Sequence, residues 1–222
     1  MKRILSLIVI FLPWSLKRFL LEKIWKYNIH PTAKIGLAYI FPKELILKEG
    51  CRIEHFNVAI NLQTLILEKN SSINRSNWIT GYPINTTSNH FKHQKNRESK
   101  LILGEEASIT KKHHIDCTNS ISIGKFTIIA GYSSQLLTHS VNIIKNIQDS
   151  APIEIGDYCF VGTNSVILGG TKLPSYSVLG AKSLLNKSFE EQYFLYGGNP
   201  AKQIKPLSNE AKFFNRESRY IV

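Results

Sequence analysis

The sequence predicts an all-β solenoid, a parallel β-helix whose short strands turn a corner every six residues. Two observations predict it. From Ile155 onwards aliphatic residues recur with a fixed period of six, and a second position, four residues after each of them, holds a small residue. A period of six is neither helical nor that of a single amphipathic strand. It is typical of stacked coils that bury one continuous aliphatic column.

The period recurs along most of the chain. The aliphatic positions of the C-terminal run are Ile155, Val161, Ile167, Leu173, Leu179 and Leu185, and the small positions are Cys159, Ser165, Thr171, Ser177 and Ser183. Upstream runs pass through Ile29, Ile35, Phe41, Leu47 and Ile53, through Leu67, Ile73 and Ile79, and through Leu103, Ile109, Ile115 and Ile121, with a restart at Ile123 and Ile129. We therefore expect the β-helix to extend over residues 28–187.

Two polar segments without the period interrupt these runs, at residues 81–100 and 141–154. Excursions from a solenoid usually lie on one face and often form binding loops. Residues 188–222 also leave the repeat. We expect them to form a closing strand and a tail with a short helix around "NEAKFFNRE".

Residues 1–27 are expected to form a short apolar and amphipathic helical segment. The apolar run 4–12 ends before Pro13, is too short to span a bilayer and is not followed by the small-residue cleavage site of a secretory signal peptide. Leu16, Phe19, Leu20 and Ile24 then recur at helical spacing, with basic residues on the other faces. The pattern suits a helix lying in a membrane interface, and equally a helix packed on the main domain or on a partner subunit.

Composition narrows the class of protein. The 222 residues are 43% hydrophobic and 20% charged, as in an ordinary globular domain, but the formal net charge is +12. Such a charge indicates an anionic partner, yet no basic run is interleaved with aromatics as in a nucleic-acid module, so nucleic acid is not expected. The three cysteines form no C-x-x-C pair, which favours a reducing, cytoplasmic location. If the N-terminal segment lies in a membrane interface, that location is peripheral, at the inner face of the membrane.

The repeats, together with "IDCTNSISIGKFTIIAGYSSQLLTHS" and "IGDYCFVGTNSVILGG", resemble the hexapeptide-repeat acyltransferases over roughly residues 28–206. The chain is most similar to the bacterial O-acetyltransferases that act on sugars of surface polysaccharides. "GGNPAKQIK" resembles the stretch that closes the last coil in this family. The resemblance implies a left-handed parallel β-helix, a homotrimer, acetyl-coenzyme A as co-substrate and a sugar or glycan hydroxyl as acceptor. Left-handed winding comes from the resemblance alone, since parallel crossovers are generally right-handed.

His139 is the first candidate for chemistry. Counting by sixes from Ile123 places Gln135 at an aliphatic position and His139 at a small-residue position, where a bulky imidazole breaks the rule. From spacing alone the residue is as well explained by packing in the core as by function. The "THS" at the end of a coil resembles the catalytic histidine of the family, which implies a general base. This chain has Asn142 where relatives often carry an acidic residue.

"KKHHIDCT" supplies three further candidates. His113 occupies a small-residue position, and strand alternation points His113 and His114 to opposite faces. His114 is expected either to meet His139 across a subunit boundary or to bind the acceptor; the alternative is an exposed pair on a basic turn. Asp116 is a candidate to orient a histidine.

The resemblance also implies a coenzyme A groove along the last coils. The residues it assigns to the cofactor are Gly162 and Thr163 of "VGTNS", Gly180, Ala181 and Lys182 of "LGAKS", and the phosphate-facing lysines Lys187, Lys202 and Lys205. Glycine would let a backbone donor approach the ligand closely. The alternative is that the small residues serve only the coil corners and that the lysines are solvated. The spacing of the histidines does not match that of a zinc site, so no metal is expected.

The sequence therefore predicts an acetyl-coenzyme A dependent O-acetyltransferase for a sugar hydroxyl. The runner-up is transfer to an amine, on an amino sugar or a small xenobiotic. A non-catalytic β-helix that serves as an assembly surface is the alternative outside the enzymes.

Overall fold

The computed structural model describes residues 2–221, and its body is a stack of seven coils. Each coil contributes one strand to each of three sheets, and the strands of successive coils pair in parallel. This arrangement is a parallel β-helix of triangular section. The expectation of a solenoid of mostly parallel sheets is confirmed.

The three sheets are built from short strands. The first contains β1 (Asn28–Ile29), β4 (Glu44–Leu47), β7 (Thr64–Leu67), β10 (Lys100–Leu103), β13 (Ile121–Ile123), β18 (Ile153–Ile155) and β21 (Lys172–Leu173). The second contains β2 (Lys34–Ile35), β5 (Arg52–Ile53), β8 (Ser72–Ile73), β11 (Ser108–Ile109), β14 (Ile128–Ile129), β19 (Phe160–Val161), β22 (Val178–Leu179), β24 (Phe194–Gly197) and β25 (Lys202–Pro206). The third contains β3 (Tyr39–Phe41), β6 (Val58–Ile60), β9 (Trp78–Thr80), β12 (His114–Asp116), β15 (Gln135–Leu137), β20 (Val166–Leu168) and β23 (Leu184–Leu185).

The core is the aliphatic column that the period predicts. Every aliphatic and small position of the run from Ile155 to Leu185 is buried. Two aliphatic positions were wrongly predicted. In β3 the inward residue is Ile40, and Phe41 lies on the outer side; the error at Gln135 is described with the site.

Both polar excursions leave the solenoid at the same corner, between a strand of the third sheet and the next strand of the first. The first joins β9 to β10, and the second joins β15 to β18, two coils further along. The second contains an antiparallel hairpin, β16 (His139–Asn142) and β17 (Ile147–Ser150). Successive coils are about 4.8 Å apart, so excursions two coils apart can contact each other.

The N-terminal segment forms two helices where one was expected: α1 (Lys2–Val9) and α2 (Trp14–Ile24). Pro13, which has no N–H to donate, separates them. The two helices pack on the first coil, with Val9 and Leu21 in the core. Among the helices within residues 2–221, none has the length and apolar character that a membrane span requires.

The C-terminal end closes the second sheet and then runs back along a corner. β24 pairs in parallel with β22, and β25 pairs antiparallel with β24. A single turn of 3-10 helix follows at Lys212–Asn215, as the expected short helix. The buried ring of Phe214 lies edge-on to Tyr176 and Tyr193, two members of an aromatic stack that follows the corner of the last coils.

Candidate active site

The candidate site lies where the third sheet ends and the hairpin begins. β15 ends at Leu137, Thr138 points inward and is buried, and His139 opens β16 on the outer side. The prediction that His139 occupies an inward small-residue position is wrong. One extra residue in the corner around Gly131 and Ser133 shifts the register, so that Leu136 is inward and Gln135 is exposed.

Asp116 and His139 form the central pair of the site. Asp116 ends β12 on the preceding coil, and the Nδ1 atom of His139 lies 2.6 Å from its Oδ2 atom. The carboxylate accepts, so Nδ1 carries the proton and Nε2 is left with its lone pair. Nε2 hydrogen-bonds to no other described residue. The His139 side chain is 45% exposed and that of Asp116 only 7%, so the imidazole faces outward above a buried carboxylate.

The carboxylate of Asp116 is held by several donors. Thr118 donates to its Oδ1 atom from the hydroxyl at 2.7 Å and from the backbone N–H at 3.1 Å. The backbone N–H of His139 donates to its Oδ2 atom at 3.2 Å. Burial alone raises the pKa of Asp116, but the hydrogen bonds from Thr118 and His139, together with the charge that His139 carries when protonated, outweigh it, and the pKa is lowered from its ordinary value. Asp116 is therefore an anion at neutral pH.

The first excursion covers one side of the imidazole. The ring of Phe91 is buried and meets that of His139 edge-to-face, with centroids 6.4 Å apart. The guanidinium of Arg97 lies 4.8 Å from the centre of the Phe91 ring. It donates to the carbonyl oxygens of Tyr82 at 2.7 Å, of Pro83 at 3.0 Å and of Thr118. Arg97 therefore ties the excursion to the same threonine that holds Asp116.

The two excursions are joined by a polar network. The Nε2 atom of Gln94 donates to Asp149 Oδ1 and to the carbonyl oxygen of Ser150, both at 2.7 Å. The Ser150 hydroxyl donates to Gln94 Oε1 and accepts from Asn119 Nδ2 at 3.1 Å. Ser150 pairs with His139 in the hairpin, so these bonds fix the backbone beside the imidazole.

The neighbouring histidines have different positions. His113 points inward, as strand alternation predicts, and is buried; its Nδ1 atom accepts from the backbone N–H of Ser134 at 3.1 Å and its Nε2 atom lies 2.9 Å from the Thr110 hydroxyl. Burial lowers its pKa to about 4, so it is a neutral core residue. His114 points outward on the face that carries Asp116, is exposed and makes no side-chain hydrogen bond to a described residue.

Asn142, the residue at the position that relatives often fill with an acid, does not contact the imidazole. It lies in the hairpin, where its Oδ1 atom accepts from the backbone N–H of Lys145 at 3.1 Å. The acidic neighbour of His139 comes instead from the preceding coil, as Asp116.

The glycines assigned to the cofactor differ in their surroundings. A Cβ atom on Gly162 would lie 2.5 Å from the backbone nitrogen of Ala181, so coil stacking alone requires glycine there. Gly180 has more room, because the nearest atom to an added Cβ would be the carbonyl oxygen of Tyr196 at 3.5 Å. The N–H groups of Gly162 and Gly180 donate to Leu179 and Tyr196, so neither is free to bind a ligand.

The other assigned residues lie on or near the surface of the last coils. Ala181, Lys182, Lys187, Lys202 and Lys205 are exposed. The Thr163 hydroxyl donates to the carbonyl oxygen of Tyr132 at 2.9 Å. None of the four lysines forms an ion pair with a described residue, so their charges are available to an anion.

Metal-ion chemistry and cysteine chemistry have less support in the structure. Within residues 2–221 no group of three His, Cys, Asp or Glu side chains could hold a metal ion. The three cysteines are buried free thiols, and burial raises the pKa of Cys159 to about 12.

A polar cleft of about 470 Å³ lies beside the first excursion, between Gln94, Asn119 and Pro152, and His139 is not part of its lining.

Sequence reasoning missed the supporting residues. Thr118 could have been predicted from the sequence, because an Asp side chain often accepts a hydrogen bond from the backbone N–H two residues further on. Phe91, Gln94 and Arg97 had none, since their segment lacks the period and its path over the solenoid depends on contacts distant in the sequence.

Comparison with known proteins agrees with the fold. No family model matches the chain. The chain is 36% identical to "Putative acetyltransferase YvoF" of Bacillus subtilis (strain 168) over an alignment of 84 residues. That alignment covers 38% of this chain and 46% of that protein. The chain is 24% identical over 129 residues to "Putative lipopolysaccharide biosynthesis O-acetyl transferase WbbJ" of Escherichia coli (strain K12), covering 52% and 65%. The chain thus spans less than two thirds of either relative.

A solved structure has the same fold. It is the hexapeptide-repeat acetyltransferase VCA0836 of Vibrio cholerae O1 biovar eltor, complexed with acetyl-coenzyme A. The match has a TM-score of 0.52 and 23% identity and covers 64% of this chain and 71% of that one. The resemblance to hexapeptide-repeat acetyltransferases is confirmed by these named relatives and by the shared fold.

Proposed function

We propose that the protein transfers an acetyl group from acetyl-coenzyme A to a hydroxyl of a sugar in surface polysaccharide or glycan biosynthesis, with His139 as general base. The observation that carries the proposal is the 2.6 Å contact between His139 Nδ1 and Asp116 Oδ2 on the outer side of the solenoid. It fixes the tautomer in which Nε2 can accept a proton. Left-handed winding of the coils belongs to the same proposal.

The chemistry follows from this pair. Nε2 takes the proton of the acceptor hydroxyl while its oxygen attacks the carbonyl carbon of the thioester, and the Asp116 anion stabilises the imidazolium that forms. The carbon–sulfur bond then breaks, the acetyl group stays on the sugar oxygen, and the departing thiolate recovers the proton from Nε2. No covalent enzyme intermediate is required.

The donor is proposed from the relatives and from charge. VCA0836 was crystallised in complex with acetyl-coenzyme A, and this chain shares its fold. Exposed Lys182, Lys187 and Lys205 are candidates to meet the phosphates as point charges. Ala181 and Gly180 would flank the pantetheine arm, together with Gly162 and Thr163. For Gly162 this role is additional to coil stacking.

The acceptor is proposed to be a sugar because WbbJ, a relative by sequence, is named for lipopolysaccharide biosynthesis. His114 lies on the same outer face as Asp116 and is the candidate to bind the acceptor. The half-exposed imidazole is open on the side away from Phe91. We propose that a neighbouring subunit of a homotrimer closes that side. Light scattering that gives a monomer mass together with full activity would contradict the trimer.

His139→Ala tests the function. Turnover of acetyl-coenzyme A with glycan acceptors should fall about 10²- to 10⁴-fold, because a positioned general base contributes that much. Coenzyme A affinity and thermal stability should stay near wild type, since the side chain is half exposed. The matched control is His30→Ala, which removes an exposed histidine from the first coil. Near-normal turnover of folded His139→Ala protein would end the assignment.

A further inference from the structure

The N-terminal helices present an apolar face away from the solenoid. The inner side of α1 is fixed, since Val9 is fully buried and the Ser6 hydroxyl lies 3.0 Å from that of Tyr39. The outer side carries a stripe of large apolar residues at spacings of three and four. They are Ile4, Leu7 and Ile8 of α1 and Phe11 of the turn that follows it, each between 55% and 76% exposed.

Helix α2 continues this arrangement beyond Pro13. Its inner side holds Leu21 in the core, and the buried amine of Lys17 donates to the carbonyl oxygen of Gly36 at 2.6 Å. Leu16 and Phe19 are exposed on the outer side. Because both helices are anchored to the first coil, the apolar face is held by the solenoid at its N-terminal end. Exposed apolar patches of this kind usually mark an interaction site.

The charges around this face have one sign. Lys2, Lys23 and Lys26 are exposed and form no ion pair with a described residue, and the Lys23 amine lies 6.0 Å from the Phe19 ring. Glu22 is the one acidic residue of the segment, and Arg18 neutralises it at 2.8 Å. The face therefore combines exposed aliphatic and aromatic side chains with uncompensated positive charge.

We propose that the outer face of α1 and α2 docks the protein on an anionic lipid membrane. Apolar side chains enter the boundary between headgroups and acyl chains, and the lysines meet the lipid phosphates. Helices of 8 and 11 residues lie on the membrane rather than cross it. A second copy is a poorer occupant, because two-fold pairing of this face would set its lysines against the same lysines.

The test is flotation of the full chain with vesicles of phosphatidylglycerol and phosphatidylcholine in equal parts, and with vesicles of phosphatidylcholine alone. We expect binding to the first and much weaker binding to the second. The double variant Ile4→Ser/Ile8→Ser should weaken partitioning by about a hundredfold, because each isoleucine side chain withdrawn from the apolar phase costs roughly tenfold. Isoleucine and serine have similar helix propensity, so the helix should survive.

The matched control is Ile144→Ser/Ile204→Ser, which removes two exposed isoleucines, 98% and 58% exposed, from other surfaces. It should bind vesicles as wild type does. Lys2→Gln/Lys23→Gln should weaken binding roughly fivefold per lysine and reduce its salt dependence, whereas Lys111→Gln/Lys145→Gln should not.

Three results would overturn the proposal. Wild-type protein that does not float with anionic vesicles would do so, as would equal binding by the Ile4/Ile8 variant. The third is a change of oligomeric mass in the Ile4/Ile8 variant by light scattering without a change in vesicle binding, which would assign the face to a second copy.

Discussion

The Oδ2 atom of Asp116 lies 2.6 Å from Nδ1 of His139, and the two residues come from neighbouring coils at one corner of the solenoid. The stacking of coils brings them together, because the register pairs Asp116 with Leu137 and places His139 two residues beyond. Thr118 and the backbone N–H of His139 complete the shell of donors around the carboxylate. The contact therefore depends on the backbone of both coils.

Asp116→Asn should lower turnover by about 10²- to 10⁴-fold with little change in the KM for acetyl-coenzyme A. An amide can donate to Nδ1, which favours the tautomer with the proton on Nε2, and that tautomer cannot accept the hydroxyl proton. Steady-state kinetics of the purified variant measures the effect. Asp157→Asn is the matched control, since Asp157 also accepts a backbone N–H, from Lys125 at 2.8 Å, at a distant corner.

A variant that keeps more than a tenth of wild-type turnover would remove Asp116 from the mechanism. The role of Asp116 would then be limited to stabilising the local backbone at this corner of the solenoid.

Arg97→Lys should loosen the first excursion. The planar guanidinium reaches three carbonyl oxygens while it stacks on Phe91, and a single ammonium cannot do so. The lost bonds are expected to cost about 1–3 kcal/mol of local stability. Hydrogen exchange over residues 82–97 should become faster, while exchange in the coils stays unchanged. Turnover should fall as well, because a loosened Phe91 would no longer fix the orientation of the His139 ring that it contacts.

Arg75→Lys, at an exposed position in the third coil, is the control for the loss of a guanidinium. Unchanged exchange in the excursion of Arg97→Lys would show that Arg97 is not its anchor.

The repeat was predictable because each of the three sides of a coil buries one aliphatic residue, which produces the six-residue period in the sequence. The aliphatic run from Ile155 to Leu185 is wholly buried as predicted. Counting by sixes fails where a corner gains a residue. At Gly131 and Ser133 two positive φ angles accommodate the extra residue, and nothing in the six-residue pattern indicates it.

The site was only partly predictable for the same reason. His139 was identified by its resemblance to a family position, but the argument from its spacing was wrong, because Leu136 and Thr138 take the inward positions. Asp116 was named as a candidate to orient a histidine, but its pairing with His139 depends on the length of a whole coil. Phe91 and Arg97 reach the site through an excursion whose path is fixed by long-range contacts.

Phe214→Ala should destabilise the protein by about 3 kcal/mol, as expected for truncation of a buried phenylalanine. The ring is 5% exposed and lies edge-on to Tyr176 and Tyr193, so its removal leaves a cavity under the C-terminal tail. Denaturant unfolding measures the change. Phe19→Ala removes a ring that is 53% exposed in solution and should be nearly neutral. Equal effects of the two variants would mean that the tail does not pack on the solenoid.

His113 should make the protein less stable in acid. Its pKa is lowered to about 4 by burial, whereas an unfolded histidine titrates near pH 6.5. Between these values the unfolded chain binds a proton that the folded chain does not, so the free energy of unfolding falls as the pH falls from about 6.5 to about 4. The contribution of this one residue is at most about 3 kcal/mol.

The measurement compares wild type with His113→Gln by urea unfolding at several pH values. Glutamine does not titrate, so the variant should lose stability less steeply below pH 6.5, and its deficit at pH 7 should shrink toward pH 4. His30→Gln, which removes an exposed histidine, should keep the wild-type slope. If wild type and His113→Gln have parallel stability profiles over this window, His113 is protonated in the folded protein. The hydrogen bond from Ser134 to Nδ1 could not then exist, because a protonated imidazole has no acceptor.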